Sequence, residues 1–325
     1  MINNNIFIFI ILSLLFSLAI DVLYGEMPTI IHPVVIIGSI INFFKKIFIK
    51  IKNKSSGLLV VVSTTLTASV IVYIIYLLSS INNILLFIIY SLLLSSTFSV
   101  KMLLDSANDI KNDLNESIEK ARKSVSYLVS RNTEELTESF IVSATIETLT
   151  ENITDSYVAV IFYYMIFACF SIVYDINIYY LLMIAVFYRI SNTLDAMLGY
   201  KTDELESIGF IPAKLDDVLN YIPSRISGCL IVIASAILKF NWKGAYKIMH
   251  RDARKCPSPN SGYTMAPTAG ALNIQLVKKG TYVLGDDLKE ITKDDISDAI
   301  KISSLTIILF TTLALMLFSL FWVII

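Results

Sequence analysis

The stretch from Leu58 to Leu78, LLVVVSTTLTASVIVYIIYLL, decides the fold class of this protein. It contains no Asp, Glu, Lys or Arg, and a helix needs about 20 mostly apolar residues to cross the hydrocarbon core of a bilayer. Two further apolar runs are predicted to meet the same requirement, at 84–104 and 302–325. Shorter runs are additional candidates for spanning helices, the last of them the weakest: 6–20, 157–174, 178–190 and 226–238.

The composition agrees with a polytopic membrane protein. Of the 325 residues, 55% are hydrophobic and 16% are charged, and the mean hydropathy is +0.70. The net charge of -1 gives no support for nucleic-acid binding. Three scattered cysteines and two histidines argue against a disulfide framework and a histidine-built metal site. We therefore expect an all-α, polytopic integral membrane helical bundle.

Positive charge sets the predicted topology, because cytoplasmic loops of membrane proteins carry an excess of Lys and Arg. The 26 Lys and Arg residues lie in four loops and at one helix end, whereas the turns near 79–83 and 175–177 have none. We therefore predict a multi-pass protein of the cell membrane with its active face in the cytoplasm. It forms a single membrane-embedded domain, residues 1–325, whose charged cytoplasmic helical loops form the active site: 105–156, 191–225 and 239–301.

The segment 226–238 raises a problem of parity. If it crossed the membrane, the basic loops on either side of it would lie on opposite faces. We therefore predict that this segment is re-entrant, or packs as a helix without crossing. The alternative is a full crossing with one polar loop outside.

One group of carboxylates follows helical spacing in the segment 144–155, ATIETLTENITD. Glu147, Glu151 and Asp155 are spaced i, i+4, i+8, which predicts a single stripe on a helix. Like charges at this spacing cost a few tenths of a kcal/mol each, and Mg²⁺ bound with a nucleotide would offset the cost because it favours carboxylate oxygens. Asn152 beside them is a neutral donor and acceptor. The alternative is a solvated helix face.

Two later segments place further carboxylates and amides beside apolar sequence. In 192–201, NTLDAMLGYK, Asn192 and Asp195 follow an apolar run directly, and the alternative to function is helix capping with an interfacial tyrosine. In 214–225, KLDDVLNYIPSR, Asp216, Asp217 and Asn220 crowd one predicted helical turn. Paired aspartates beside an amide suit Mg²⁺ or an amine, and the alternative is favourable charge at a helix N-terminus.

The segment 251–260, RDARKCPSPN, combines two arginines with two prolines that stop a helix. Arg251 and Arg254 are three apart, so they are predicted to share one helix face and to bind carboxylate or phosphate through their planar forks. The alternative is a basic segment that contacts lipid head groups. In the N-terminal segment 21–34, His32 is a candidate acid/base group or a hydrogen-bond donor to phosphate. The alternative is a structural histidine.

Taken together, these segments resemble the adenosylcobinamide-phosphate synthase (CobD/CbiB) family of cobalamin biosynthesis. Six collinear stretches carry the resemblance: DVLYGEMPTIIHPV at 21–34, ARKSVSYLVSRNTEEL at 121–136, ATIETLTENITDSYVAVIFY at 144–163, YRISNTLDAMLGYK at 188–201, AKLDDVLNYIPSRI at 213–226 and RDARKCPSPNSGYTMAPTAGAL at 251–272. Thr150 and Cys256 depart from the family pattern, which usually has a small apolar residue and a histidine there.

The resemblance implies ATP-dependent amide formation between adenosylcobyric acid and (R)-1-aminopropan-2-ol or its O-phosphate, giving adenosylcobinamide or its phosphate. It implies ATP and Mg²⁺ as cofactors, with membrane lipid and other late cobalamin-assembly enzymes as partners. We expect catalytic roles for Glu147, Glu151, Asp195 and Asp217, and magnesium ligation by Glu151, Asp155 and Asp216. Substrate or phosphate binding is expected from a larger set: His32, Arg122, Asn152, Asn192, Lys201, Lys214, Asn220, Arg225, Arg251, Arg254, Ser258 and Asn260.

Two competing functions are a membrane transporter and a scaffold for corrinoid-assembly enzymes. Transporters bind their ligands near the bilayer midplane, but the central parts of the runs at 58–78, 84–100 and 302–325 hold no charged side chains. The polar groups gather at one predicted face instead, which favours an enzyme at the membrane surface. A scaffold would bind partner proteins yet form no amide.

Overall fold

A computed structural model describes residues 4–30, 32–129, 131–200 and 202–325, and helices account for most of them. The helices are α1 Asn4–Tyr24, α2 Pro33–Phe48, α3 Lys54–Ser79, α4 Asn83–Ser95, α5 Lys101–Glu116, α6 Ile118–Ser126, α7 Glu138–Ile153, α8 Ala159–Tyr174, α9 Ile178–Leu198, α10 Glu206–Leu219, α11 Tyr221–Ile237, α12 Trp242–Asp252, α13 Gly262–Leu272 and α14 Asp294–Ile324. Two short strands form a hairpin, β1 Gln275–Lys278 and β2 Tyr282–Gly285. The predicted all-α class is confirmed.

Five helices in the described part of the chain are long and apolar enough to span a bilayer: Asn5–Tyr24, Lys54–Ser79, Glu138–Tyr174, Ile178–Leu198 and Asp294–Ile324. Many of their apolar side chains face outward; Leu66, Leu78 and Met316, for example, are exposed. Such faces suit contact with lipid tails rather than water, since soluble monomers rarely expose large apolar surfaces. The protein is therefore a polytopic membrane protein.

The predicted span at 84–104 is wrong. Helix α4 ends at Ser95 after 13 residues, which is too short to cross. The side chains of Ser96 and Thr97 donate to the carbonyl groups of Leu93 and Leu94 (2.7 and 2.6 Å), and these local bonds compete with continued helix. Apolar residues alone thus did not reveal where the helix stops.

The segment 226–238 forms most of α11 and its C-cap Leu238, and the 17 residues of this helix follow α10 after a break at Asn220. Together the two helices are apolar enough to count either as a sixth, broken span or as a re-entrant pair. The prediction that this segment does not cross the membrane therefore stays a prediction.

The segment 278–300 contains the second strand of the hairpin and the start of α14. Its first residues complete the antiparallel hairpin, in which Leu276 pairs with Leu284 and both are buried. The following helix, α14, is long: it begins at Asp294 and continues without a break to Ile324. Short alternating strands of this kind give a weak sequence signal beside a strongly apolar helix.

The chain divides into two compact units, each assembled from separate stretches of sequence. The first comprises Met1–Val100, Ala159–Leu219 and Ala314–Ile325, and the second comprises Lys101–Val158 and Asn220–Leu313. The first holds most of the apolar helices, whereas the second holds the hairpin and most of the polar helices.

Candidate functional site

In the second unit, Glu147 is a buried carboxylate on α7, with a side chain only 5% exposed. Its Oε1 accepts a hydrogen bond from Ser143 Oγ (2.6 Å), and its Oε2 accepts from Arg131 (3.1 Å) and from the Tyr282 hydroxyl (2.9 Å). Ser143 Oγ also accepts the backbone N–H of Val277 in β1 (2.9 Å). Glu147 therefore fastens the hairpin to α7, and its charge is balanced by Arg131.

The other two carboxylates of the predicted stripe lie in a different environment. The α-helix ends at Ile153 and a π-turn, Thr154–Val158, carries the chain into α8. Glu151 and Asp155 are partly buried, and Asp155 lies in the π-turn. The prediction that all three share one regular stripe is therefore wrong. π-turns inside helices occur often at functional sites because they re-aim side chains.

Arg251 is tied to two aspartates. Its Nε and one terminal nitrogen donate to the two oxygens of Asp252 (2.8 and 2.7 Å), and its other terminal nitrogen donates to Asp286 (2.7 Å). Lys255 (2.6 Å) and the backbone N–H of Gly285 (2.9 Å) also bind Asp252, which is fully buried. Burial alone would raise the pKa of Asp252, but these donors lower it to about 2. This network joins α12 to the end of β2.

Arg254 has other partners. Helix α12 ends at Asp252 and Ala253–Lys255 continue it as a 3-10 turn, so Arg251 and Arg254 do not lie on one continuous α-helix, and the prediction that they share one face stays a prediction. Arg254 is exposed and hydrogen-bonds the Tyr263 side chain; this bond, with the nearby arginine charges, lowers the pKa of the Tyr263 phenol.

Tyr263 also joins Arg254 to a second predicted arginine, Arg225. The Arg225 guanidinium lies between the rings of Tyr221 and Tyr263, 3.7 and 4.1 Å from their centroids. It donates to Asn260 Oδ1 (2.6 Å) and to the carbonyl of Pro259 (3.0 Å).

Ser258 completes this group, because its hydroxyl accepts the backbone N–H of Asn260 (3.2 Å). The structure thus brings together four predicted substrate-binding residues: Arg225, Arg254, Ser258 and Asn260.

In the first unit, two carboxylates approach each other where α9 packs against α10. Asp195 is partly buried near the end of α9, and the partly buried Asp217 lies on α10, which packs against α9. Asp217 pairs with Lys214 (2.9 Å). Among the described residues, no Lys, Arg or His forms an ion pair with Asp195.

A series of polar side chains, linked by hydrogen bonds, lies beside this pair. Arg189 donates to the carbonyl of Thr97 (2.8 Å) and to Asn192 Oδ1 (3.2 Å), and Asn192 Nδ2 lies 3.5 Å from the buried Asp216. Arg189 also borders an apolar cavity of about 140 Å³ between α2, α3, α4 and α9. A cation among apolar helices is costly and usually marks function.

The remaining predicted residues have mainly local contacts. His32 caps α2, accepting the N–H of Val34 at Nδ1 (3.2 Å), and its Nε2 lies 3.7 Å from Glu26. Arg122 donates to the carbonyl of Leu136 (2.9 Å), and Asn152 donates to the carbonyl of Thr148 (2.9 Å). Asn220 is buried at the break between α10 and α11. Lys201 lies outside the described residues.

Whether these clusters fit a Mg²⁺ ion depends on how many ligand side chains the protein brings together. Within the described ranges, no three His, Cys, Asp or Glu side chains form a group that could hold a metal ion. Magnesium bound with a nucleotide usually takes one or two carboxylates and completes its shell with phosphate oxygens and waters. Partly buried carboxylates such as those of Glu151 and Asp155 therefore suit an ion that is bound mainly by a nucleotide, and the described residues do not suit a metal held by protein ligands alone.

Several residues at these clusters were not singled out from the sequence: Arg131, Ser143, Asp252, Tyr263, Tyr282 and Arg189. Arg131 and Arg189 lie inside stretches that carried the family resemblance, so an arginine beside apolar sequence was an available signal. No sequence signal pointed to Tyr282, because it hydrogen-bonds Glu147, which is 135 positions away in the sequence.

Sequence comparisons identify several proteins that are similar to this chain. A sequence profile described as "CobD/Cbib protein" matches residues 14–303. The "Probable cobalamin biosynthesis protein CobD" of Methanothermobacter thermautotrophicus is 45% identical over 301 residues, which cover 93% of this chain and 95% of the relative. Proteins with the same name from Methanococcus aeolicus and Methanocaldococcus jannaschii are 41% and 38% identical, over 84% and 95% of this chain and 86% and 97% of theirs. No solved structure matches.

Proposed function

Because the chain belongs to the CobD/CbiB family and acts in cobalamin biosynthesis, we propose that it is an ATP-dependent amide synthase. It joins adenosylcobyric acid to (R)-1-aminopropan-2-ol or its O-phosphate and yields adenosylcobinamide or its phosphate. The reaction takes place at the cytoplasmic face of the cell membrane. The corrin carboxylate attacks the γ-phosphorus of ATP to give an acyl phosphate and ADP, and the amine then displaces phosphate from the acyl carbon.

One observation carries the proposal: the partly buried Asp195 lies beside Asp217, and no described basic residue forms an ion pair with it. Two carboxylates at one place repel each other and lose hydration, so the pair favours a cation between or beside them. The ammonium group of the amino alcohol has the required charge and size. Once bound there, it would lose a proton to one carboxylate and become a nucleophile.

The second unit supplies groups suited to the anionic substrates. The exposed Arg254 offers guanidinium donors to a phosphate or carboxylate, and Arg225, clamped between two tyrosine rings, keeps Tyr263 and Asn260 in place. Glu151 and Asp155 suit a Mg²⁺ ion that arrives with ATP, and such an ion would neutralise charge on the transferred phosphoryl group. Glu147 and Arg251 hold the surrounding framework.

The test is an amide-forming assay on the detergent-solubilised protein. It contains adenosylcobyric acid, ATP, Mg²⁺ and either aminopropanol or aminopropanol phosphate, and mass spectrometry follows the product. We expect product that depends on both ATP and protein. No product with either amine, from folded protein, would overturn the proposal and favour a scaffold or transport role.

Variants test the assigned residues. Asp195→Asn should lower kcat/KM by about 100-fold or more, since a positioned base contributes about 10²–10⁴-fold, whereas Asp203→Asn, an exposed aspartate in the loop before α10, should not change it. Glu151→Gln and Arg254→Ala should each reduce turnover. Near-native turnover in both, in folded protein, would contradict the proposed site.

A further inference from the structure

A second cavity, with a more polar lining and a volume of about 240 Å³, lies in the second unit between the start of α12, the end of α13 and the residues after β2. None of the site residues predicted from the sequence is among its described lining residues. Part of its wall is backbone, because α12 and α13 touch at Gly244 and Gly270. A Cβ on either glycine would lie 2.6 or 2.5 Å from the carbonyl oxygen of the other.

The cavity carries positive charge on one wall. Lys243 and Lys247 are four apart on α12 and therefore lie on the same face. In the described part of the chain, neither ammonium group forms an ion pair with a carboxylate. The lining includes one carboxylate, Asp286, and its charge is balanced by Arg251 at 2.7 Å. The surroundings are therefore net positive.

Two asparagines determine which uncharged hydrogen-bond donors face the cavity. Asn241 caps α12 by accepting the N–H of Gly244 (2.9 Å), and its Nδ2 donates to Asn273 Oδ1 (2.6 Å). Asn273 ends α13 in the left-handed conformation, with φ of 57°. Since its oxygen is the acceptor of that bond, its amide nitrogen is available as a donor. The first N–H groups of α12 add partial positive charge at the same place.

We infer that this cavity is a binding site for a phosphate group. Lysine ammonium groups, an amide donor and a helix N-terminus together match the charge and hydrogen-bonding capacity of phosphate. The volume is below the roughly 300–1,000 Å³ of clefts for drug-sized ligands, so it accepts a headgroup or a small phosphate ester and not a corrin ring. None of the residues assigned to amide formation is among its described lining residues.

The phosphate can belong to a soluble ester or to a phospholipid. The position supports both, because the site follows the apolar helix α11 directly and has exposed Trp242 and Tyr246 nearby, residues that favour the membrane interface. The shared chemistry is the phosphate group, and the experiment separates the two sources.

The test measures protection of lysine amines from acylation in the full-length protein, read by mass spectrometry, without corrinoid or ATP. The probes are inorganic phosphate and glycerol phosphate on protein in detergent, and nanodiscs of phosphatidylcholine with or without phosphatidic acid. We expect Lys243 and Lys247 to be protected and Lys239, which is exposed outside the cavity, to react as before. Protection by the soluble probes assigns a free ester, and protection by phosphatidic acid alone assigns a lipid headgroup.

Variants complete the test. The double variant Lys243→Gln/Lys247→Gln and the single variant Asn273→Asp, which replaces the donor with an anion of equal shape, should each weaken the binding of the effective probe by about tenfold or more. Lys239→Gln removes the same charge elsewhere and should leave binding unchanged. Lack of protection by every probe, or equal loss in Lys239→Gln, would overturn the inference. Since no substrate of amide formation is present, failure here leaves the proposed activity standing.

Discussion

At the residue scale, Glu147 shows how a carboxylate is held inside an apolar helix. Its oxygens accept from Ser143, Arg131 and Tyr282. Glu147→Gln keeps the shape but leaves the Arg131 charge unbalanced, and removing one partner of a buried ion pair costs about 3–5 kcal/mol. We expect a clearly lower unfolding temperature in detergent. Glu138→Gln, at an exposed position of the same helix, should change stability by less than about 0.5 kcal/mol. Equal transitions in the two variants would contradict this role.

A second prediction at this scale concerns the pH dependence of stability. Asp252 has a folded-state pKa of about 2, below its ordinary value of 3.8, because Arg251, Lys255 and the Gly285 N–H stabilise its charge despite burial. The stabilisation is therefore complete above about pH 5 and is lost as the pH falls towards 2, an effect of about 2 kcal/mol. Thermal unfolding followed between pH 6 and about 2 should show this loss, and Asp252→Asn should remove that part of it.

The control for this experiment is Asp287→Asn, which replaces an exposed aspartate two residues after β2. This variant should keep the pH dependence of the parent protein. If Asp252→Asn retained the full dependence as well, the acid sensitivity would come from other carboxylates.

At the scale of elements, close packing of α10 on α9 holds Asp217 near Asp195. The approach depends on Gly209, since a Cβ there would collide with the Leu198 carbonyl oxygen. Gly209→Ala should therefore cost about 1–3 kcal/mol in unfolding experiments. The matched control is Gly38→Ala on α2, where a Cβ would meet only the Met197 sulfur at an ordinary 3.6 Å. It should be neutral or stabilising by up to about 1 kcal/mol. A destabilised Gly38→Ala with a neutral Gly209→Ala would refute this account.

At the scale of the whole molecule, the distribution of Lys and Arg predicts that the hairpin lies in the cytoplasm. A protease-cleavable tag in the turn after Lys278 should be protected in sealed cells. The same tag near Asn82, in a turn without basic residues, should be cut from outside. Cleavage of the hairpin tag in sealed cells would show that α11 takes part in a full crossing.

Sequence alone determined that this is an all-α membrane protein of the CobD/CbiB family. The hydropathy of a segment is a sum over its own residues, and the family resemblance lies in stretches that follow one another along the sequence. Neither property depends on how the chain packs. It also named Arg225, Arg254, Ser258 and Asn260 of one cluster and Asp195 and Asp217 of the other, because these lie within such stretches, but it did not single out Tyr263 or Arg189.

Only the tertiary structure decided which of the named side chains are held by the protein. Arg251 is engaged by Asp252 and Asp286, and Glu147 by the distant Tyr282. A side chain's charge and hydrogen-bonding capacity are properties of its residue type, but the partners that satisfy them come from segments far away in the chain, and packing alone brings those together.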